Sequence, residues 1–464
     1  MAPRRFRAFD HLSPGAWIIL VGAAVSSIVY LSWPVPRRTG REFWLFSPPN
    51  LGHYQSAAAR WNERHVDPAD HLNLVLIHYQ AMERRLVAAF TAGAPVADLV
   101  ETESMLMARV FEGPLNDIGF VDLTDRLQAE GFFEQINAPS FSPWTTRGRT
   151  FALPHDVHPC LLAYRADLVE AAGIDVSQIE TWEDFRRVLA PLITDLDGDG
   201  RPDRYLLNFW ENQFDTIRLL ILQAGGDMFD AEGNVTLNTA INAHVLASLV
   251  SWVAGPRRFC VDAPEFTAGG DQMRIQGLVV ASILADWQAG TWKNNVPGLA
   301  GRVKLMRLPA WTSGGRRTSV NGGTGLGITK ASPDFERSWA MAKHLYLSDE
   351  VAESLYRTTY IISPVKAHWS LPFYREPDPF FSGQPVGELY IREAPYIPIR
   401  HASPYLALAR DRTMAVLVAL KAHAIATGRF ETEELLPEAH RLLADAQAKL
   451  TARIQRNVLY DLDT

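Results

Sequence analysis

Cysteine is scarce in this chain: 464 residues carry two, Cys160 and Cys260. No pair of CxxC motifs exists, which excludes a zinc ribbon or an iron-sulfur centre. One disulfide in an oxidising compartment and two buried thiols are both compatible with such a pair. Clustered positive charge is also missing. The formal net charge is -7 and basic residues occur only in short arginine pairs, so a nucleic-acid surface, which must neutralise phosphates, is excluded. The chain has no GxSxG, HExxH or P-loop to point to a familiar enzyme. The turn GGTGLG (322–327) does not match GxGxxG and opens no capped helix, so dinucleotide binding is rejected. Fixed-period repeats and low-complexity segments are absent too. With 47% hydrophobic and 21% charged residues the chain is globular rather than disordered, and long enough for two or three domains.

The amino terminus holds the one long apolar run. Arg4, Arg5 and Arg7 precede an uncharged stretch, 16–33, which as a helix spans about 27 Å at ~1.5 Å per residue. A bilayer core is about 30 Å thick. Pro14, Pro34 and Pro36 suit helix ends, and Tyr30 and Trp33 suit a membrane interface. No small-residue cleavage site follows the run, and no cysteine follows closely enough for a lipid anchor. An uncleaved transmembrane signal anchor over residues 1–40 is therefore expected. A single span cannot form a transport channel.

Beyond it the pattern alternates. REFWLF, LNLVLIHY and VADLVETE read as strands; YQSAAARWNERH and MERRLVAAFTAG read as helices between them, the second closed by Gly93. VVASILA, RVKLMRLP and GLGITK are later strands, PDFERSWAMAKHLYLS a later helix, and the chain from about residue 404 is helix-rich. Helices between short strands predict an α/β fold on mostly parallel sheets.

Several blocks in order, AAFTAGAPVADLVETES, GFVDLTDRL, FALPHDVHPCLLAYRADLVEAAGI, TWEDF, DLDGDGRPDRYLL, ILADWQAGTW and LPAWTSGGRRTSVNGGTGLGITKAS, resemble the family 1 extracellular solute-binding proteins, whose best-known relatives bind maltose and other oligosaccharides. The resemblance implies a two-lobed periplasmic-binding-protein fold of type II-like topology, with chain crossovers at a hinge and ligand in the cleft. Mapped onto this sequence, lobe one is 42–153 plus 308–366, lobe two is 154–307 plus 367–464, and hinge strands lie near 151–154 and 305–309. It further implies an extracytoplasmic subunit of an ABC importer, periplasmic and held at the outer face of the cytoplasmic membrane. Such a subunit delivers a carbohydrate or polyol to permease subunits with their ATPase, and is itself no enzyme. A binding module for a sensor kinase and a secreted carbohydrate-active enzyme are the alternatives; the enzyme would need two carboxylates across one bond.

A sugar has hydroxyl edges and apolar C–H faces, calling for flat aromatics with carboxylates and amides beside them. On position in the expected cleft loops the candidates are Trp44, Glu101, His155, Asp156, Trp210 with Glu211 and Asn212, Asp286, Trp287, Trp311 and the turn around Gly323. Trp61 and Trp339 lie on helices and are expected in the core. The loop DLDGDGRPD places Asp195, Asp197, Asp199, the Arg201 carbonyl and Asp203 at successive positions of an EF-hand-like calcium loop, but Leu206 stands where the bidentate glutamate belongs. A structural calcium and a solvated Asp-Gly turn are the two readings; no other cofactor is expected.

Overall fold

The computed structural model describes residues 13–32 and 39–457, and divides into two units, one ending and the other beginning at residues 40 and 41. The first is the helix Pro14–Ser32, nineteen residues without a charged side chain, with Ile18 and Ile19 more than two-thirds exposed. Among the described residues no helix is long and apolar enough to cross a membrane. The expected transmembrane span is thus unsupported. The flanking arginines, Trp33 and the side chain of Tyr30 lie outside the described residues.

The second unit holds two five-stranded sheets. Across the first run Leu72–Leu76, Arg41–Leu45, Leu99–Glu103, Thr324–Ile328 and Leu153–Pro154. The second runs Val303–Arg307, Cys160–Arg165, Val279–Ala285, Tyr205–Asn208 and Cys260–Val261. Neither is mostly parallel. The early βα crossovers do pair parallel, as Arg41–Leu45 does with both its neighbours. But Thr324–Ile328 reaches the first sheet from the other lobe and lies antiparallel to Leu99–Glu103 and to Leu153–Pro154. Cys160–Arg165, arriving the other way, is antiparallel to both its neighbours. Mixed pairing follows from a chain that changes sheets partway along.

Each sheet is covered on both faces, which makes two lobes. Helices Pro48–Arg64 and Phe335–Leu347 bury Tyr54, Trp61, Trp339 and Leu345 against one face of the first sheet, while Met82, Leu86, Phe111 and Phe120 cover the other. The second sheet packs on one side against helices Ala240–Val253, Leu406–Thr427 and Thr432–Ile454. On the other side lie Trp292, Tyr374, Phe381 and Tyr390. Burial of this kind is worth about 25 cal/mol per Å² of apolar surface. It explains why the last helices, remote in sequence, belong with 160–307. Both thiols are buried and free. Cys160 and Cys260 sit on strands separated by two others of the second sheet, too far apart to pair.

The two sheets are joined where the chain leaves Leu153–Pro154 for Cys160–Arg165, returns from Val303–Arg307 to Thr324–Ile328, and departs again after the helix Asp349–Thr359. These connecting segments bond to one another. Val157 N–H donates to the Ile362 carbonyl, Asn321 N–H to the His158 carbonyl, and Pro159 bridges Val320.

Candidate functional site

Four buried side chains knot the connecting segments together. His158, at a φ of 55°, donates from Nδ1 to Asp286 Oδ1 at 2.7 Å and from Nε2 to Asp156 Oδ2 at 3.1 Å. Asp156 Oδ2 also accepts from Thr324 N at 2.9 Å, and lies 3.4 Å from His155 Nδ1. Asp286 accepts from Trp287 N and, through Oδ2, from Ile362 N at 2.8 Å. Burial alone would make His158 less basic. The flanking carboxylates of Asp156 and Asp286 outweigh it and raise its pKa to about 10. Asp156 is also desolvated, yet His158 and His155 hold its carboxyl well below the ordinary carboxylate range. A cation shared by two carboxylates thus pins the connections.

This network redirects several expectations. Asp286 is wholly buried and its oxygens accept from the imidazole and two backbone N–H groups, so it is held inside the knot rather than on an exposed surface. His155 and Asp156 are likewise enclosed. Glu101 is buried inside the first lobe, accepting from Tyr54 Oη at 2.9 Å, with Asn50 and Tyr346 at 3.5 and 3.4 Å. Burial raises its pKa, against the pull of its partners. Trp44 is buried in its strand beside Arg85. Trp311 stacks on Trp252 at 5.5 Å and donates to the Leu220 carbonyl, inside the second lobe. Trp210 lies under the Lys421 ammonium, 4.2 Å from the ring centroid, and Glu211 pairs with the same lysine.

Two candidates do reach a common cavity. Trp287 and Asn212 line a space of about 420 Å³ together with Phe266, Gln288, Asn321 and Asp215; Met105 of the first lobe and Arg410 of the last helices complete it. Trp287 is half-buried, its Nε1 donates to the Asn321 carbonyl at 3.0 Å, and its ring is nearly parallel to that of Phe266, 6.0 Å away. Phe266 is 61% exposed at a φ of 59°. An exposed phenyl ring held in a left-handed backbone conformation is costly for a soluble surface, and beside an indole it makes a flat apolar wall with amides and charges at its rim. A second cavity of about 780 Å³ shares Met105 and Arg410 and continues between Tyr79, Arg109 and Arg453. Sequence reading missed Phe266, because nothing in DAPEFTAGG but the phenylalanine itself marks it.

The glycine turn serves this wall. Gly322 and Gly323 have φ of 97° and 137°. A Cβ on Gly322 would lie 3.1 Å from Trp287 Nε1, and one on Gly323 3.0 Å from an Arg400 nitrogen. Only glycine allows both close approaches.

The aspartate loop lies apart from the cavity linings. Asp195, Asp197 and Asp203 bring one oxygen each within 4.8 Å of the others, an arrangement a cation would fit. Asp199 is not in that group, and Leu206 is buried in its strand. The same carboxylates also accept loop N–H groups: Asp195 takes Gly198 and Gly200, and Asp203 takes Leu196 and Asp197.

Comparison with known proteins fits two lobes around a ligand-sized cavity. An arabinooligosaccharide-binding protein of Halalkalibacterium halodurans is 24% identical over 363 residues, 75% of this chain and 77% of that one. The structure of the sugar-binding protein MalE from Xanthomonas citri aligns over 90% of this chain and all of the other, with TM-score 0.70 and 16% identity. An ABC transporter associated binding protein from B. animalis subsp. lactis, solved with beta-1,6-galactobiose, aligns over 89% of this chain and 98% of its own, with TM-score 0.64 and 17% identity. Residues 50–352 match the family model described as bacterial extracellular solute-binding protein. That match takes in four of the five strands of the first sheet, the first two crossings between the sheets and the Phe266–Trp287 wall. The chain belongs to the bacterial extracellular solute-binding proteins: it acts outside the cytoplasm by capturing a solute, not by catalysis.

Proposed function

We propose that this protein is the carbohydrate receptor of an ABC importer, binding an oligosaccharide or related polyol between its lobes. The observation that carries the reading is the Phe266–Trp287 wall in the 420 Å³ cavity. Flat rings match the C–H faces of a sugar, and Asn212, Gln288 and Asn321 supply amides for its hydroxyl edges. Relatives whose names report arabinooligosaccharide and galactobiose binding support the same class. The lobes are read as 42–153 plus 308–366 and 154–307 plus 367–464, closing about the His158 knot; permease and ATPase subunits are the partners of the closed form. Of the sites expected from sequence, Trp287 and Asn212 touch ligand, while His155, Asp156, Asp286 and Gly323 hold the hinge.

Calorimetric titration with arabino- and galacto-oligosaccharides tests the receptor reading. One site per chain is expected, and heat from none of them would overturn it. Helix Pro14–Ser32 is read as the tether to the cytoplasmic membrane, supported by its lack of charge and its exposed isoleucines. The aspartate loop is read as a structural calcium site of the second lobe, supported by its three converging carboxylates.

A further inference from the structure

The cavity of about 780 Å³ has no role in the account above. It adjoins the 420 Å³ cavity of the ring wall, and Met105 and Arg410 line both. Each is a long, unbranched side chain that can change rotamer, so the boundary between the two spaces is adjustable. Met105 stands in the first turn of Ser104–Val110, directly after the strand Leu99–Glu103, and Arg410 in the first turns of Leu406–Thr427. The larger cavity therefore has one lobe on each side, as the smaller one does.

Its lining repeats the chemistry of the ring wall. Tyr79 is half-buried; its ring stands edge-on to Phe46 at 5.7 Å and its Oη donates to Glu103 Oε2 at 3.1 Å, which fixes an aromatic surface in the lining. Leu408 adds an exposed aliphatic one. Arg453 and Arg456, at the end of the last helix, are exposed and hold no hydrogen bond or ion pair among the described residues, so their N–H donors are open to hydroxyl oxygens. Asn457, also in the lining, donates to Glu112 Oε1 at 3.2 Å and to Tyr405 Oη at 2.7 Å, which ties the end of the last helix to the first lobe across this cavity.

Each cavity alone falls within the roughly 300–1,000 Å³ that holds one small ligand. Aromatic surface with hydrogen-bonding groups at its rim, met twice in adjoining spaces, suits a ligand whose own chemistry repeats.

We infer that the 780 Å³ cavity is a second subsite of the same cleft. It takes further units of a linear oligosaccharide whose first units lie on Phe266 and Trp287, and its wall from the last two helices makes the receptor selective for chain length. This deepens the carbohydrate-receptor reading and rests on it.

Calorimetric titration of the whole chain with the dimers and tetramers of linear arabino- and galacto-oligosaccharides tests the inference. The readout is the ratio of dimer to tetramer Kd within the series that binds. The tetramer should bind about tenfold or more tightly, whereas the number of registers a tetramer offers accounts for only about threefold. Ala407→Trp fills the cavity from an exposed position of its lining and should bring the ratio down to about threefold. Arg453→Ala should lower it as well. A ratio of about threefold or less in the native protein, or one that a folded Ala407→Trp leaves unchanged, overturns the inference and leaves the receptor reading standing. If the melt of Ala407→Trp shows no folded chain, Arg453→Ala decides alone. No heat from any of these sugars overturns both.

Discussion

Trp287 carries the sharpest residue-scale expectation. Its ring is half-buried, packed on Phe266 and hydrogen-bonded to the Asn321 carbonyl, and its outer face looks into the cavity. Trp287→Ala should weaken carbohydrate binding by about 2 kcal/mol, roughly thirtyfold in Kd. A core tryptophan such as Trp339, 1% exposed, should instead remove ~3–5 kcal/mol of folding stability when truncated. Calorimetric titration and a thermal melt of the two variants separate these effects. An unchanged Kd in folded Trp287→Ala would remove the ring from the site. The contrast shows where residue-level reading of the sequence stops. Trp61 and Trp339 were legible as core from helical spacing. Trp311 was not, because the Trp252 ring that buries it comes from a distant helix. Asp286 was legible as the residue where an apolar strand ends, yet its partners His158 and Ile362 N–H come from far along the chain in both directions, so its hinge role left no local trace.

At the scale of elements, the hinge knot should respond to pH in a defined direction. The His158 pKa is raised to about 10 in the folded protein against an unperturbed 6.5. Its contribution is therefore complete below pH ~6.5 and is lost as pH rises toward 10. Wild-type melting temperature should fall across that window more steeply than that of His158→Gln. The variant should itself be about 3–5 kcal/mol less stable at neutral pH, because Asp156 and Asp286 are left buried without a cation. Parallel pH slopes for the two proteins would contradict a charged His158. The aspartate loop gives a second test. If calcium bridges Asp195, Asp197 and Asp203, a chelator should lower the melting temperature and Asp197→Ala should abolish that sensitivity; identical melts with and without chelator leave the self-bonded turn. Most elements were readable from period and punctuation, as with Gly93 closing Tyr79–Ala92 at a φ of 67°. The direction of strand pairing was not. Thr324–Ile328 looks like any short strand, and its antiparallel course depends on the excursion through the other lobe.

For the whole molecule, the two sheets and their crossings place the Phe266–Trp287 wall of one lobe opposite Met105 of the other. Sequence blocks in the right order indicated two lobes, but not which loops meet in the cleft. The tether is tested by amino-terminal sequencing of native protein from a membrane fraction. Retention of residues 1–40 supports it, and a start near residue 35 or beyond removes it. The central claim, capture of a carbohydrate between the lobes, is tested most directly by hydrogen exchange of the intact chain with and without saturating arabino-oligosaccharide. Slowed exchange is expected in 212–216, 262–266 and 286–288 of the second lobe and in 321–323 of the connecting turn. Binding that leaves those four segments unchanged and protects another surface would contradict it.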